Sequence, residues 1–289
     1  MLFVNQIFNG LNASAILLLT SLGIVVIMGN MGIVNLAHGE CIMLGAYVCY
    51  FFVTGMHLPF LLAIPVAFLI LALIGWLVDR FMISKLMAKS GGNEAETLLA
   101  TYGLSLILKQ GTKLIFGANI QYVENPFPGA VSLGSVSIPL YNIVVIVVSL
   151  LVLLLTWLLF FKTSFGRQMR ATTGNRTMTE CLGINTSKVD GITFAYGFGL
   201  AGVAGVMIAP IVGVTPFLGE KYLTNAFMNV IVGGLNSLLG TGLSSALIGE
   251  SITVVSGFSD EVSAKLLIFI IVIILIRFKP EGLFTKERR

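Results

Sequence analysis

Apolar residues fall along the chain in long runs, near 7–28, 33–54, 59–78, 97–116, 138–161, 189–212, 224–257 and 263–278, with polar stretches between them. The run 138–161 holds 24 residues and no charge. A helix rises 1.5 Å per residue, so roughly 20 apolar residues match a bilayer core about 30 Å thick. The pattern predicts an all-α, polytopic integral membrane helical bundle of about eight to nine membrane segments. No soluble domain or long linker interrupts it, so residues 1–289 read as a single transmembrane domain. Segment 224–257 is interrupted at Gly233-Gly234 and again at Gly240-Thr241-Gly242. Two halves of about 16 residues reach only about 24 Å, which predicts broken or re-entrant helices. Such backbone survives at membrane depth only where protein or a wet cavity surrounds it.

Composition agrees with the pattern. The 289 residues are 56% hydrophobic and 10% charged, and mean hydropathy is +0.98. A soluble domain carries about 25% charged residues. The first 79 residues contain no Lys or Arg, so the start lacks the basic region of a secretory signal, and 7–28 reads as a first span. Cys41, Cys49 and Cys181 show no metal-ligand spacing, and the first two read as small packing residues.

Charge gives the orientation. Three clusters (Arg80, Lys85 and Lys89; Lys162, Arg167, Arg170, Arg176 and Lys188; Arg277, Lys279, Lys286, Arg288 and Arg289) hold thirteen of the 17 basic residues. The positive-inside rule puts all three in the cytoplasm, the C-terminus with them. Segment 224–257 must then cross twice or not at all, and the N-terminus lies outside if the first three runs each cross once. The net charge of +4 follows from this bias and suits an anionic lipid surface; nucleic acid is not an expected partner.

Several motifs fail on context. Gly197-Phe-Gly199-Leu-Ala-Gly202 spells GxGxxG after the strand-like 192–196, with Glu220 roughly where a ribose-binding acid would stand. That fingerprint needs a βαβ unit and a wet helix start, whereas this run continues uncharged to Thr215. A helix with a small-residue stripe at Ala195, Gly199, Gly202 and Ala209 is expected instead. His38-Gly39-Glu40 lacks the Pro-Cys-x-x-Cys partner of a zinc deaminase, and neither a metal nor a cofactor is expected. The dipeptide Gly-Lys never occurs, so no P-loop is present, and active transport would draw on another subunit.

Two stretches remain. GIVNLAHGE, at 32–40, places Asn35, His38 and Glu40 between apolar runs. One reading is a polar break lining a pathway, since ionisable groups at membrane depth face the bundle interior or water. The other is a turn on the cytoplasmic side, with Asn35 capping a helix and Glu40 in its first turn. Lys109 and Lys113 are expected to snorkel to the interface. Asn225 and Asn229, four apart on one helical face, and Glu250 are further candidates to line a pathway, against the reading that the asparagines only join helices. The loop FGRQMRATTGNRTMTECLGINTSKVD predicts a short amphipathic helix and a cap at Asn185 or Thr186; it reads as a docking element for a cytoplasmic partner or as a solvated loop near lipid.

Together with GFGLAGVAGVM at 197–207, GGLNSLLGT at 233–241 and FKPEGLF at 278–284, these stretches resemble the membrane permease subunits of the branched-chain amino acid and urea family of bacterial ABC importers. The resemblance spans almost the whole chain, and GNRTMTECLGIN is most similar to the urea type. It implies a non-enzymatic inner-membrane subunit that forms the path for a small polar solute, urea or a short-chain amide, with branched-chain amino acids as the alternative. A passive solute channel is the reading from a different class. The resemblance also implies a second permease subunit, homologous or identical, two cytoplasmic ATPase subunits and an extracytoplasmic binding protein. It makes the loop carrying Arg167, Arg170, Asn175, Arg176, Glu180 and Gly183 the ATPase-coupling element.

Overall fold

A computed structural model describes residues 2–90, 94–133, 136–279 and 282–284. The third basic cluster therefore contributes only Arg277 and Lys279, and Lys286, Arg288 and Arg289 lie outside the described residues. The fold is an all-α bundle. In chain order it comprises α1 (Leu2–Met31), α2 (His38–Tyr50) continued by a π-helical turn (Phe51–Gly55), and α3 (Phe60–Val78) continued by a second π-helical turn (Asp79–Ile83) into α4 (Ser84–Ser90). Helix α5 (Glu94–Phe116), a hairpin of β1 (Ala130–Leu133) and β2 (Val136–Pro139), and α6 (Leu140–Lys162) follow. Two short helices, α7 (Ser164–Gly174) and α8 (Arg176–Cys181), lead into α9 (Thr186–Val212), α10 (Leu218–Gly233), α11 (Leu238–Ser256) and α12 (Glu261–Phe278). Among the described residues, five helical stretches are long and apolar enough to cross a membrane on those grounds alone: Gln6–Met31, Phe60–Lys89, Leu140–Lys162, Thr186–Val212 and Leu238–Ser256.

Helix α9 is the axis. Its small residues meet three neighbours at once. Gly199 faces Phe68 of α3, and Gly197 faces Ile27 of α1. A Cβ on Gly45 of α2 would stand 2.7 Å from the Gly202 Cα, a distance only two glycines allow. Three of the four residues of the expected stripe, Ala195, Gly199 and Gly202, are turned toward α3, and Gly197 and Gly205 bring in α1 and α2 on other sides. Residues 192–196 are helical rather than strand-like. Around this axis, Leu61, Leu69 and Leu73 of α3 and Leu150, Leu154 and Leu155 of α6 stay exposed. Bare leucine on the perimeter suits hydrocarbon rather than water.

The bundle has two distinguishable ends. At one, Gly191 at the start of α9 lies against Asp79, Gly29 against Asn236, and Gly282 against Gly234. The basic clusters meet there. At the other end, Gln121 pairs with Val214 beside the β-hairpin, and Gly257 abuts Gln6. Helix α10 starts inside the bundle, where Gly219 lies against Gly39, and runs to the basic end, and α11 returns from there, so the Gly-interrupted segment is a pair of antiparallel helices. The interruption differs from the expectation. Helix α10 begins at Leu218, the only break falls at 234–237 where Gly234 takes φ +98°, and Gly240 and Gly242 lie inside α11. Gly240 serves packing, because Gly233 and the backbone around Gly240 and Thr241 approach too closely for a Cβ. Helix α10 spans only about 24 Å, and buried Val214 ahead of it completes the pass inside protein.

Candidate functional site

The second pass is half extended. Helix α1 ends at Met31, Gly32 turns the chain with φ +69°, and no helix forms until His38. The unwound residues run back into the bundle. The Leu36 amide donates to Thr101 Oγ1 of α5 at 3.3 Å, and His38 Nε2 lies 3.1 Å from the Thr20 carbonyl, midway along α1. Of the two readings of NLAHGE, the structure has the buried break and not a turn at the bundle's end. Asn35 does not cap α2. Its Oδ1 accepts the Ala37 amide at 3.0 Å, which closes a local turn instead. Glu40 does occupy the first turn of α2, where its charge suits the helix N-terminus. Asn35, His38 and Glu40 are all buried, and Asn35 Nδ2, His38 Nδ1 and Glu40 Oε2 have no partner among the described residues.

Glu40 belongs to a charged cluster shared by three helices. The Ser105 hydroxyl of α5 reaches its carboxylate, with Lys109 and Glu220 nearby. Lys109 forms an ion pair with Glu220 of α10 and lies 5.9 Å from the centre of the Phe217 ring. The Lys109 side chain is mostly covered and is turned to the carboxylate of α10. Glu220 is half exposed, so the cluster opens toward the hairpin end.

The other three candidates do not join it. Asn229 is fully buried, donates to Ser21 Oγ at 2.9 Å and accepts from Ser244 Oγ at 2.6 Å. It ties α10 to α1 and α11, so the helix-joining reading holds for this residue. Asn225, one turn earlier, is half-buried. Glu250 packs against Gly10 of α1, away from Glu40.

At the basic end, the loop forms the two short helices α7 and α8. Thr163 Oγ1 caps α7 at the Gly166 amide, Asn175 Oδ1 caps α8 at the Met178 amide, and Asn185 Oδ1 caps α9 at the Lys188 amide. Gly183, at φ +81°, turns the chain after α8. Arg170 donates to the Phe160 carbonyl at the end of α6 and lies 5.3 Å from the Phe161 ring centre. Arg176 Nη2 pairs with Asp190 Oδ2 at 2.5 Å, and its Nε lies 3.6 Å from Glu180. Buried Asp190 also takes Asn30 Nδ2 at 3.4 Å, and Asn30 Oδ1 accepts from Thr173 of α7 at 3.0 Å. One polar chain thus links α7, α1, α9 and α8. Arg167, Met178 and Leu182 are exposed.

Sequence reasoning missed two pairings, Asn30 with Asp190 at the basic end and Lys109 with Glu220 beside Glu40. The usable signal was a lone acid, Asp190, directly after a basic loop at the mouth of an apolar run, because a carboxylate there needs a partner.

A bundle of apolar helices with an unwound pass, buried polar groups and a capped helical hairpin at its basic end defines a multi-pass membrane transport subunit. The model of the family described as branched-chain amino acid transport system, permease component, matches residues 6–277, and the chain belongs to that family. It is 26% identical to the high-affinity branched-chain amino acid transport system permease protein BraD of Pseudomonas aeruginosa, covering 98% of this chain and 96% of the relative. The LivH permease of Escherichia coli K12 gives the same identity and coverage. The ribose import permease protein RbsC of Escherichia coli K12 is also 26% identical, over 86% of this chain and 75% of its own. No solved structure matches. The expectation of a urea-type permease finds no support among these relatives.

Proposed function

We propose that this chain is the path-forming subunit of an ATP-driven importer of branched-chain amino acids. The observation that carries the reading is the end-to-end similarity to permeases named for that activity. The charged cluster supports it. A zwitterion brings one ammonium and one carboxylate, and Glu40, Lys109 and Glu220 supply both complementary signs where the unwound stretch gives way to α2. Urea carries no net charge and gains little from fixed charges. In this reading the basic end is cytoplasmic, and the α7–α8 hairpin, with Arg167, Met178 and Leu182 exposed, is the surface on which an ATPase subunit sits. Arg170, Asn175, Arg176, Glu180 and Gly183 build the hairpin, and Arg167 is free to contact a partner. A second permease subunit and an extracytoplasmic binding protein complete the assembly.

Deleting the gene tests the substrate. The expected result is loss of high-affinity leucine uptake, with urea uptake unchanged. Loss of urea uptake with leucine uptake intact would restore the urea reading.

A further inference from the structure

At the basic end, a cleft of about 540 Å³ separates the end of α3 and its π-helical turn from the start of α9. Trp76, Asp79 and Arg80 stand on one wall, and Ser187, Lys188 and Ile192 stand on the other. The role proposed above leaves this cleft unused. Helix α3 runs toward the basic end and α9 runs away from it. Trp76, one turn before Arg80, and Ile192, one turn after Lys188, therefore both lie deeper in the bundle. Each wall thus carries a cation at the outer level and a large apolar side chain about 5 Å below it. Trp76 and Ile192 are half exposed, and the bare leucines Leu73 and Leu69 continue the same wall down α3.

The charges around the cleft do not cancel. Buried Asp79 is answered by the adjacent Arg80 and by the Ser84 hydroxyl, which donates to its Oδ2 at 2.8 Å. The cavity that adjoins toward Met87 adds Arg176 and Asp190, which pair with each other. On the outer face of α4, Lys85 lines a neighbouring groove with its Nζ 5.5 Å from the Phe81 ring centre. No other charged side chain among the described residues lines these three spaces. Glu180, 3.6 Å from Arg176, is the one further acid in contact with them. Four cations therefore face three carboxylates, and Lys85 and Lys188 form no ion pair among the described residues. The surplus is positive and calls for an anion. The apolar side chains beneath it call for hydrocarbon on the same molecule. Basic pockets between membrane helices take anionic lipid head groups, and tryptophan favours the head-group level.

We propose that the cleft binds one anionic phospholipid, with its phosphodiester between Arg80, Lys188 and the Ser187 hydroxyl and its acyl chains along Trp76, Ile192 and Leu73. This is a saturable site, distinct from the general attraction of basic loops to an anionic leaflet. The lipid bridges α3 to the start of α9, the helix that Arg176 ties to the α7–α8 hairpin. The assignment is independent of which solute is carried.

The test uses the full-length chain in a non-ionic detergent, melted with added dioleoylphosphatidylglycerol or dioleoylphosphatidylcholine. The anionic lipid is expected to raise the melting temperature by several degrees, saturably, and the zwitterionic lipid to leave it unchanged. Lys188→Gln and Arg80→Gln should each weaken the lipid midpoint several-fold, and should either fail to fold, the other decides. Arg277→Gln, at the same end of the bundle, should not move it. An equal response to the two lipids would overturn the proposal, as would an unchanged midpoint in a folded Lys188→Gln or Arg80→Gln. Equal weakening by Arg277→Gln would overturn it by showing diffuse attraction alone. Glycerol 3-phosphate protecting as well as the lipid would assign the cleft to a soluble anion instead. Protection by polyglutamate but not by phosphatidylglycerol would also overturn it, in favour of an acidic segment of a partner protein.

Discussion

Gly45→Leu is expected to abolish the folded protein. Helix α2 crosses the axis helix α9 at this residue, and even a methyl group would stand 2.7 Å from the Gly202 Cα. The obstacle is backbone, which cannot turn aside as a side chain would. Overpacking a core costs about 1–3 kcal/mol when neighbours can shift, and here the cost lies at or above that range. Gly103→Leu is the matched control. It sits on α5 with nothing within 4 Å of a Cβ, and replacing a helical glycine there is expected to be neutral or mildly stabilising. Size-exclusion profiles and melting temperatures of the purified variants check the pair. Wild-type yield and melting for Gly45→Leu would show that α2 and α9 do not meet as described.

Arg176→Met has the second largest expected effect, and its partner reverses it. Removing the guanidinium leaves Asp190 charged, buried and supported only by Asn30. Breaking a buried pair costs about 3–5 kcal/mol. Arg176 is 42% exposed, so solvent screens the pair and about 1–3 kcal/mol is the better expectation. The double variant Arg176→Met with Asp190→Asn should recover most of that loss, because no uncompensated charge remains. Melting temperatures of the two single variants and the double variant close the cycle. Additive losses would mean that the two residues do not interact.

Much of the fold was legible because hydrocarbon imposes simple rules. Runs of apolar residues became helices, and the basic residues at 80–89, 162–188 and 277–279 gather at one end of the bundle. Parity alone required segment 224–257 to be unusual. The position of its break was not legible, since Gly233-Gly234 and Gly240-Thr241-Gly242 offer the same local freedom. Tertiary packing of Gly240 against Gly233 decides between them. The late start of α2 was only half legible. NLAH announces a polar interruption, yet its depth depends on Thr20 and Thr101, which come from two other helices. The choice between the two readings of Asn229 was not legible for the same reason, because its partner Ser21 lies 208 residues away. The loop at 165–190 was read in part from local residues, since a short helix and a cap at Asn185 were expected and the caps at Thr163 and Asn175 were not. Its resemblance to the urea type finds no support among the relatives, which are named for branched-chain amino acids and ribose.

ATP-driven solute accumulation tests the central claim most directly. The complete transporter, purified with its ATPase and second permease subunits, is reconstituted into proteoliposomes with the binding protein and labelled leucine on the side of the hairpin end. The account predicts leucine accumulation above the outside concentration only when ATP is present on the side of the α7–α8 hairpin. It also predicts loss of that accumulation in Arg167→Glu, with the complex still folded. Equilibration of solute without ATP, to the same level as with it, would contradict the account and assign the chain to the passive channels.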